Sequence, residues 1–383
     1  SFCAPQPLFA PAVSPRQPGV LQLQALSSRD LAVMGSKSAE SDNSTSEEDT
    51  EAAEGAGTGE DPLHEEYEPL EESIYGWAVS MVVRDVVWLH EGTAVPMHRF
   101  ARILNSILLI LLTNSLQAFL LLFVSRLLTA PAVLNIRTAY GKYEALMYPN
   151  HTTLTVNGFD RGIPGFRVEA NFMKMDLDEQ RDICQVPLSH PWYLISILFI
   201  WTLTCQIEMR AIFETAVRLL WRTPTVPSTQ DVTKPDEGQD HLVKVEGLTL
   251  VMKTIIGVFV LIPRTVMLLL LNYLGCRWLT ATLGLGDVLL NGLALEFLVL
   301  LKELLYKVCV SHRNRVATQR LLVKPFRDVN RTTFCTFFDA QVWGIISIAW
   351  ALYYVYRFQM VLPDYRWDIR DMCGKYLPKG PWF

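Results

Sequence analysis

Among the charged or polar side chains that interrupt long apolar runs, six are candidates for chemistry: Arg264 within residues 249–275, and Asp287, Asn291, Glu296, Lys302 and Glu303 within 286–308. Such groups are costly at bilayer depth and normally face protein or water, so charge pairing, ion binding or proton transfer is the chemistry they suggest. On a wheel of 100° per residue, Asp287, Asn291 and Lys302 fall within an arc of about 60°, while Gly292, Glu296 and Glu303 take the opposite side. A helix polar on two opposed faces is expected at the centre of a bundle. Lys302 and Glu303 lie near the helix end, where they can snorkel, which leaves Glu296 as the informative group. Arg264 would stand roughly 20 Å and Glu296 roughly 15 Å above the inner edge, an offset that a long arginine bridges. An Arg264–Glu296 pair is the structural expectation; an ion or proton pathway is the functional one. Pro263, next to Arg264, is expected to kink its helix. Glu208 and Arg210 read as anchors at a helix end.

The chain shows no metal-ligand spacing, phosphate-binding loop or nucleophile with a spaced His and Asp, and its seven His are scattered. No enzyme activity, metal or cofactor is expected.

Residues 282–287, TLGLGD, resemble the filter signature of potassium channels at Thr282, Gly284, Gly286 and Asp287, with Leu285 in the aromatic position. That likeness implies a stretched loop of carbonyl oxygens replacing an ion's hydration shell. The next apolar run begins directly after Asp287, however, which leaves no connection to an inner helix. A Gly-rich turn with Asp287 as helix N-cap accounts for the same letters.

The elements that would position these groups follow from composition. Half of the residues are hydrophobic and the mean hydropathy is +0.20. The apolar residues cluster in segments near the ~20-residue length that crosses a bilayer core. The expected fold is mainly α, a polytopic helical membrane protein with about five transmembrane helices and a small α+β extramembrane cap. The spans are read at 103–127, 191–222 (with a cytoplasmic extension), 249–275, 286–308 and 341–362. Between and around them lie an acidic disordered tail at 1–75, an interfacial amphipathic helix at 76–102 and the outer-face cap at 128–190. Cytoplasmic loops are read at 223–248 and 309–340, the second of them basic, and an outer-face tail at 363–383.

Residues 39–72 hold fourteen Asp or Glu and no Lys or Arg, with too little apolar content to offset the entropy of ordering. Residues 1–29 lack acidic residues and a continuous apolar run, which argues against a signal peptide and loosely suits a transit peptide. Lys and Arg concentrate at 307–331, at 208–248 and before the first span, so the N-terminus is expected inside and the C-terminus lumenal or extracellular. On the outer side Asn150 opens the acceptor triplet Asn150-His151-Thr152. Cys184 and Cys373 are the two cysteines firmly on that face, where they could pair. Asn157-Gly158 and Pro164-Gly165 mark turns between short β-prone runs. Expected partners are the bilayer itself, anionic lipid at the 307–331 segment and a second copy of the chain; nucleic acid is not expected.

The strings ICQVPLSHPWYLISILFIWTLTCQIEMR, GDVLLNGLALEFLVLLKELLYK and LPDYRWDI resemble multipass membrane proteins common in dinoflagellate-type algae, over roughly residues 76–370. The resemblance implies a membrane location and carries over no activity or functional residue.

Overall fold

A computed structural model describes residues 67–90, 97–236, 239–326 and 334–375, and most of them are helical. A short strand β1 (Glu68–Pro69) leads to α1 (Ile74–His90). Ser73 fixes the start of α1, its hydroxyl accepting the Gly76 N–H at 3.1 Å, so one amide left open at a helix N-terminus is satisfied. α2 (Met97–Phe123) continues through a π-helical turn, Val124–Thr129, into α3 (Ala130–Met147). Pro131 sits early in α3, and the wide turn just before it accommodates the missing donor and the ring clash that would otherwise break the helix.

The chain then forms the hairpin β2 (Thr152–Leu154) and β3 (Asp160–Gly162), the short α4 (Leu177–Cys184) and α5 (Pro191–Ala216), which a π turn extends to Arg222. Strands β4 (Thr233–Asp236) and β5 (Gln239–Val245) precede α6 (Leu250–Ile255), a π turn at Ile256–Leu261 and α7 (Ile262–Ala281). α8 (Leu285–Cys309), α9 (His312–Gln319), β6 (Leu321–Val323), α10 (Phe334–Tyr353, extended by a π turn to Phe358) and α11 (Ile369–Met372) complete the order.

Three of the helical rods, Arg99–Met147, Pro191–Arg222 and Leu250–Ala281, are long and apolar enough to cross a membrane. At one end of the rods β1, β6, β5 and β4 form a four-stranded sheet in that order, with β5 and β6 parallel and the other pairs antiparallel. At the other end lie the β2–β3 hairpin, α4 and residues 359–375. Gly158, at φ +79°, supplies the left-handed residue of the hairpin turn.

Several expectations need correction. The first rod does not stop at 127 but runs to Met147, so the 128–190 segment begins as a continuation of the helix. Within the 76–102 segment read as an interfacial amphipathic helix, α1 is packed into the body: Trp77, Val79, Ser80 and Val83 have no exposure, because α1 packs against α2, α8 and α9. Its charge at Asp85 is met by Arg102 at 2.9 Å. Residues 223–248 and 309–340 are not plain loops, since they supply β4, β5, α9 and β6. The last rod ends at Phe358 rather than 362. Residues 67–75 are built into the body, while the tail before them, residues 1–66, lies outside the described residues.

Candidate functional site

Two contacts set which residues meet at mid-depth. α5 and α7 pack where Gly275 faces Trp201; a β-carbon at 275 would lie 2.5 Å from the indole ring. The Trp201 Nε1–H donates to the Asn272 carbonyl at 3.3 Å. Further along the two rods, towards the sheet, Glu208 and Arg264 come opposite one another. α7 and α8 are joined by Thr282, Leu283 and Gly284 alone. Measured outward from that turn, Arg264 on α7 and Lys302 on α8 stand equally far along their helices, so they share a level.

The result is a buried cluster of two acids and two bases. Arg264 Nη1 and Nη2 each donate to one oxygen of Glu71 at 3.0 Å, and Nη2 also donates to Glu208 Oε2 at 3.2 Å. The Lys302 ammonium pairs with Glu208. Side-chain exposure falls from 33% at Glu71 and 15% at Glu208 to 8% at Lys302 and 4% at Arg264, so Glu71 covers the guanidinium from the accessible side. The Arg264 guanidinium carbon stands 4.7 Å from the centre of the Tyr75 ring, a cation–π contact. The Tyr75 hydroxyl donates to Asn114 Oδ1 at 3.3 Å. Gln117, Tyr75, Glu208, Arg264 and Lys302 help line a cavity of about 40 Å³, room for a few waters.

Of the six expected groups, Arg264 and Lys302 meet and the other four stand apart. Arg264 does not pair with Glu296; its partners are Glu71 and Glu208. Glu296 and Glu303 are exposed on the outer side of α8, beside Leu289, Leu293, Phe297 and Leu300, so α8 lies at the edge of the bundle and not at its centre. Lys302, read as a snorkelling end group, is the buried one. Asn291 donates to Thr282 Oγ1 at 2.9 Å and braces the turn. Asp287 is exposed in the first turn of α8, whose N-cap is Gly284 at φ +94°. Leu285, Gly286 and Asp287 are helical, so TLGLGD forms a tight turn rather than a stretched filter. Glu208 anchors no helix end: its rod continues well past it to Arg222, and its carboxylate belongs to the cluster.

At the opposite end, Cys184 and Cys373 form a disulfide with Cα atoms 5.5 Å apart. Arg137 donates to the Val361 and Met360 carbonyls, and Arg161 to the Pro363 carbonyl, which ties residues 359–375 to α3 and the hairpin. Asn150 is exposed on the turn after α3, at φ +63°.

The sequence matches no protein-family model, and no curated protein or solved structure is similar to it.

Proposed function

We propose that the chain is an integral membrane protein of five spans, formed by α2–α3, α5, α6–α7, α8 and α10, and that it moves a small ion or solute as a carrier does. The buried cluster of Glu71, Glu208, Arg264 and Lys302 carries this reading. Apolar packing would hold helices together as well as a buried ion network does, and ionisable groups inside membranes mark transport paths and proton relays. The small cavity at the cluster supports a carrier over an open pore. Arg218, Arg222, Arg313, Arg315 and Arg320 at the sheet end support a cytoplasmic placement of that end, with the disulfide-closed end lumenal or extracellular. The basic segment at 307–331 would then meet anionic lipid. Exposure of Glu296 on an apolar helix face supports assembly with a second copy, because a carboxylate there needs a protein or water neighbour.

A second reading, a non-conducting receptor or scaffold, is supported by Leu154 and Val156, which stand exposed on the β2–β3 hairpin.

Purified protein in liposomes should carry ions or small solutes above protein-free controls; absence of any flux would remove the transport reading. Glycosylation at Asn150 and thiol labelling at the exposed Cys309 should report opposite sides, and labelling from one side would reject five spans.

A further inference from the structure

We infer that Arg264 and Lys302 form a binding site for a small monocarboxylate, and that Glu71 is its tethered occupant, holding the site shut until a solute carboxylate displaces it. This rests on the carrier-like reading above, for which it names the solute class and the closing device.

The first support is geometric. Both terminal nitrogens of Arg264 address the two oxygens of one carboxylate at 3.0 Å, the planar fork that makes arginine selective for carboxylates over spherical anions. The second is charge. Without Glu71 the cluster keeps Arg264, Lys302 and Glu208, a net charge of +1, which one monoanion neutralises. Glu208 sits on a rod and cannot leave. Glu71 differs: it lies on the short link between β1 and α1, outside every rod.

The link is pinned at one end by a short ladder and fitted closely at the other; between them Leu70 is buried with its N–H donating to the Leu321 carbonyl at 3.3 Å, and Gln319 donates to the Glu72 carboxylate at 2.6 Å. β1 meets β6 through two residue pairs, Glu68 with Val323 and Pro69 with Leu322. Arg218 adds contacts to the Glu68 and Pro69 carbonyls at 3.1 and 3.3 Å. On the α1 side the Glu71 carbonyl lies where only glycine fits, since a β-carbon on Gly76 would come within 2.0 Å of it. This seats the Glu71 carboxylate over Arg264. A segment with few ladder bonds and a partly exposed carboxylate opens at low free energy relative to the rods around it. Behind it, Gln117 and Tyr75 line the cavity that an incoming carboxylate would reach.

The test uses the full chain in detergent, where no flux is needed, so its failure and a failure of transport are read separately. Hydrogen exchange is followed in peptides covering residues 67–76 while sodium formate replaces sodium chloride at constant ionic strength. Formate should speed exchange in this segment and chloride should not. Glu71→Gln keeps the shape but weakens the charge-assisted bonds, and should lower the formate concentration for half the effect by about tenfold or more. Arg264→Lys removes the fork and should abolish the response. The proposal is overturned if chloride acts as well as formate, if formate has no effect on the wild-type segment, if Glu71→Gln leaves the midpoint unchanged, or if the response survives Arg264→Lys. Should either variant fail to fold, the comparison of formate with chloride on the wild-type chain still decides.

Discussion

Arg264 is ringed by three different interactions: a two-bond fork to Glu71, one bond to Glu208 and the face of Tyr75. Replacing it with Met would leave two carboxylates sharing Lys302, and breaking a buried pair in this way costs about 3–5 kcal/mol. Glu303→Gln, on the exposed face of α8, should change stability by no more than about 0.5 kcal/mol. Denaturant unfolding in detergent should separate the two variants; equal losses would contradict the buried cluster. The residue types are legible in the sequence, since charge inside apolar runs singles out Arg264 and Lys302. Their partners are less so. Glu71 belongs to an acidic run whose composition reads as solvated tail, and composition cannot reveal that its last residues pair with β6 and turn into α1.

At the scale of elements, the apolar runs are legible because helices that face lipid need little polar patterning, and the three long rods cover three of them. The depth of each side chain is misread from sequence for a geometric reason. α7 is prolonged by α6 and a π turn down to Leu250, whereas α8 ends at Cys309. Levels counted from these unequal ends set Arg264 against Glu296, while counting from the shared turn at 282–284 sets it against Lys302. The sheet is not legible because β1 and β6 are very short and pair across most of the chain. The turn signals at Asn157-Gly158 and Pro164-Gly165 are readable, as both glycines take positive φ. The disulfide-closed end also carries a pH dependence. Burial pushes the His190 imidazole below its usual 6.5, and Arg370 adds to the effect, against a bond from the ring to the Cys184 carbonyl at 3.3 Å. A depressed histidine contributes stability that is present above 6.5 and lost as pH falls through the lowered value. Exchange protection of residues 359–375 should therefore decline as the pH falls from 6.5 to the lowered value and level off below it, and His190→Asn should flatten the decline.

Over the described residues as a whole, the arrangement divides labour between a body of apolar rods, a sheet at one end and a disulfide-closed unit at the other, with the cluster of Glu71, Glu208, Arg264 and Lys302 held among the rods. Exposed apolar side chains run along α2, along α7 with the π turn before it, and along α8, from Leu104 to Phe123, from Val258 to Leu270 and from Leu289 to Leu304, the surface a bilayer would cover. Within that belt the cluster is paired and buried, and Glu296 faces outward. Glu208 and Glu296 lie on neighbouring helices and differ chiefly in whether they belong to the cluster, so comparing them isolates its role. The direct measurement is flux through reconstituted Glu208→Gln and Glu296→Gln, each confirmed as a monodisperse, helical protein. Glu208→Gln should lower flux by about tenfold or more, equivalent to ~1.4 kcal/mol or more in the barrier, while Glu296→Gln stays near wild type. Loss of flux in Glu296→Gln with Glu208→Gln unaffected would contradict the account.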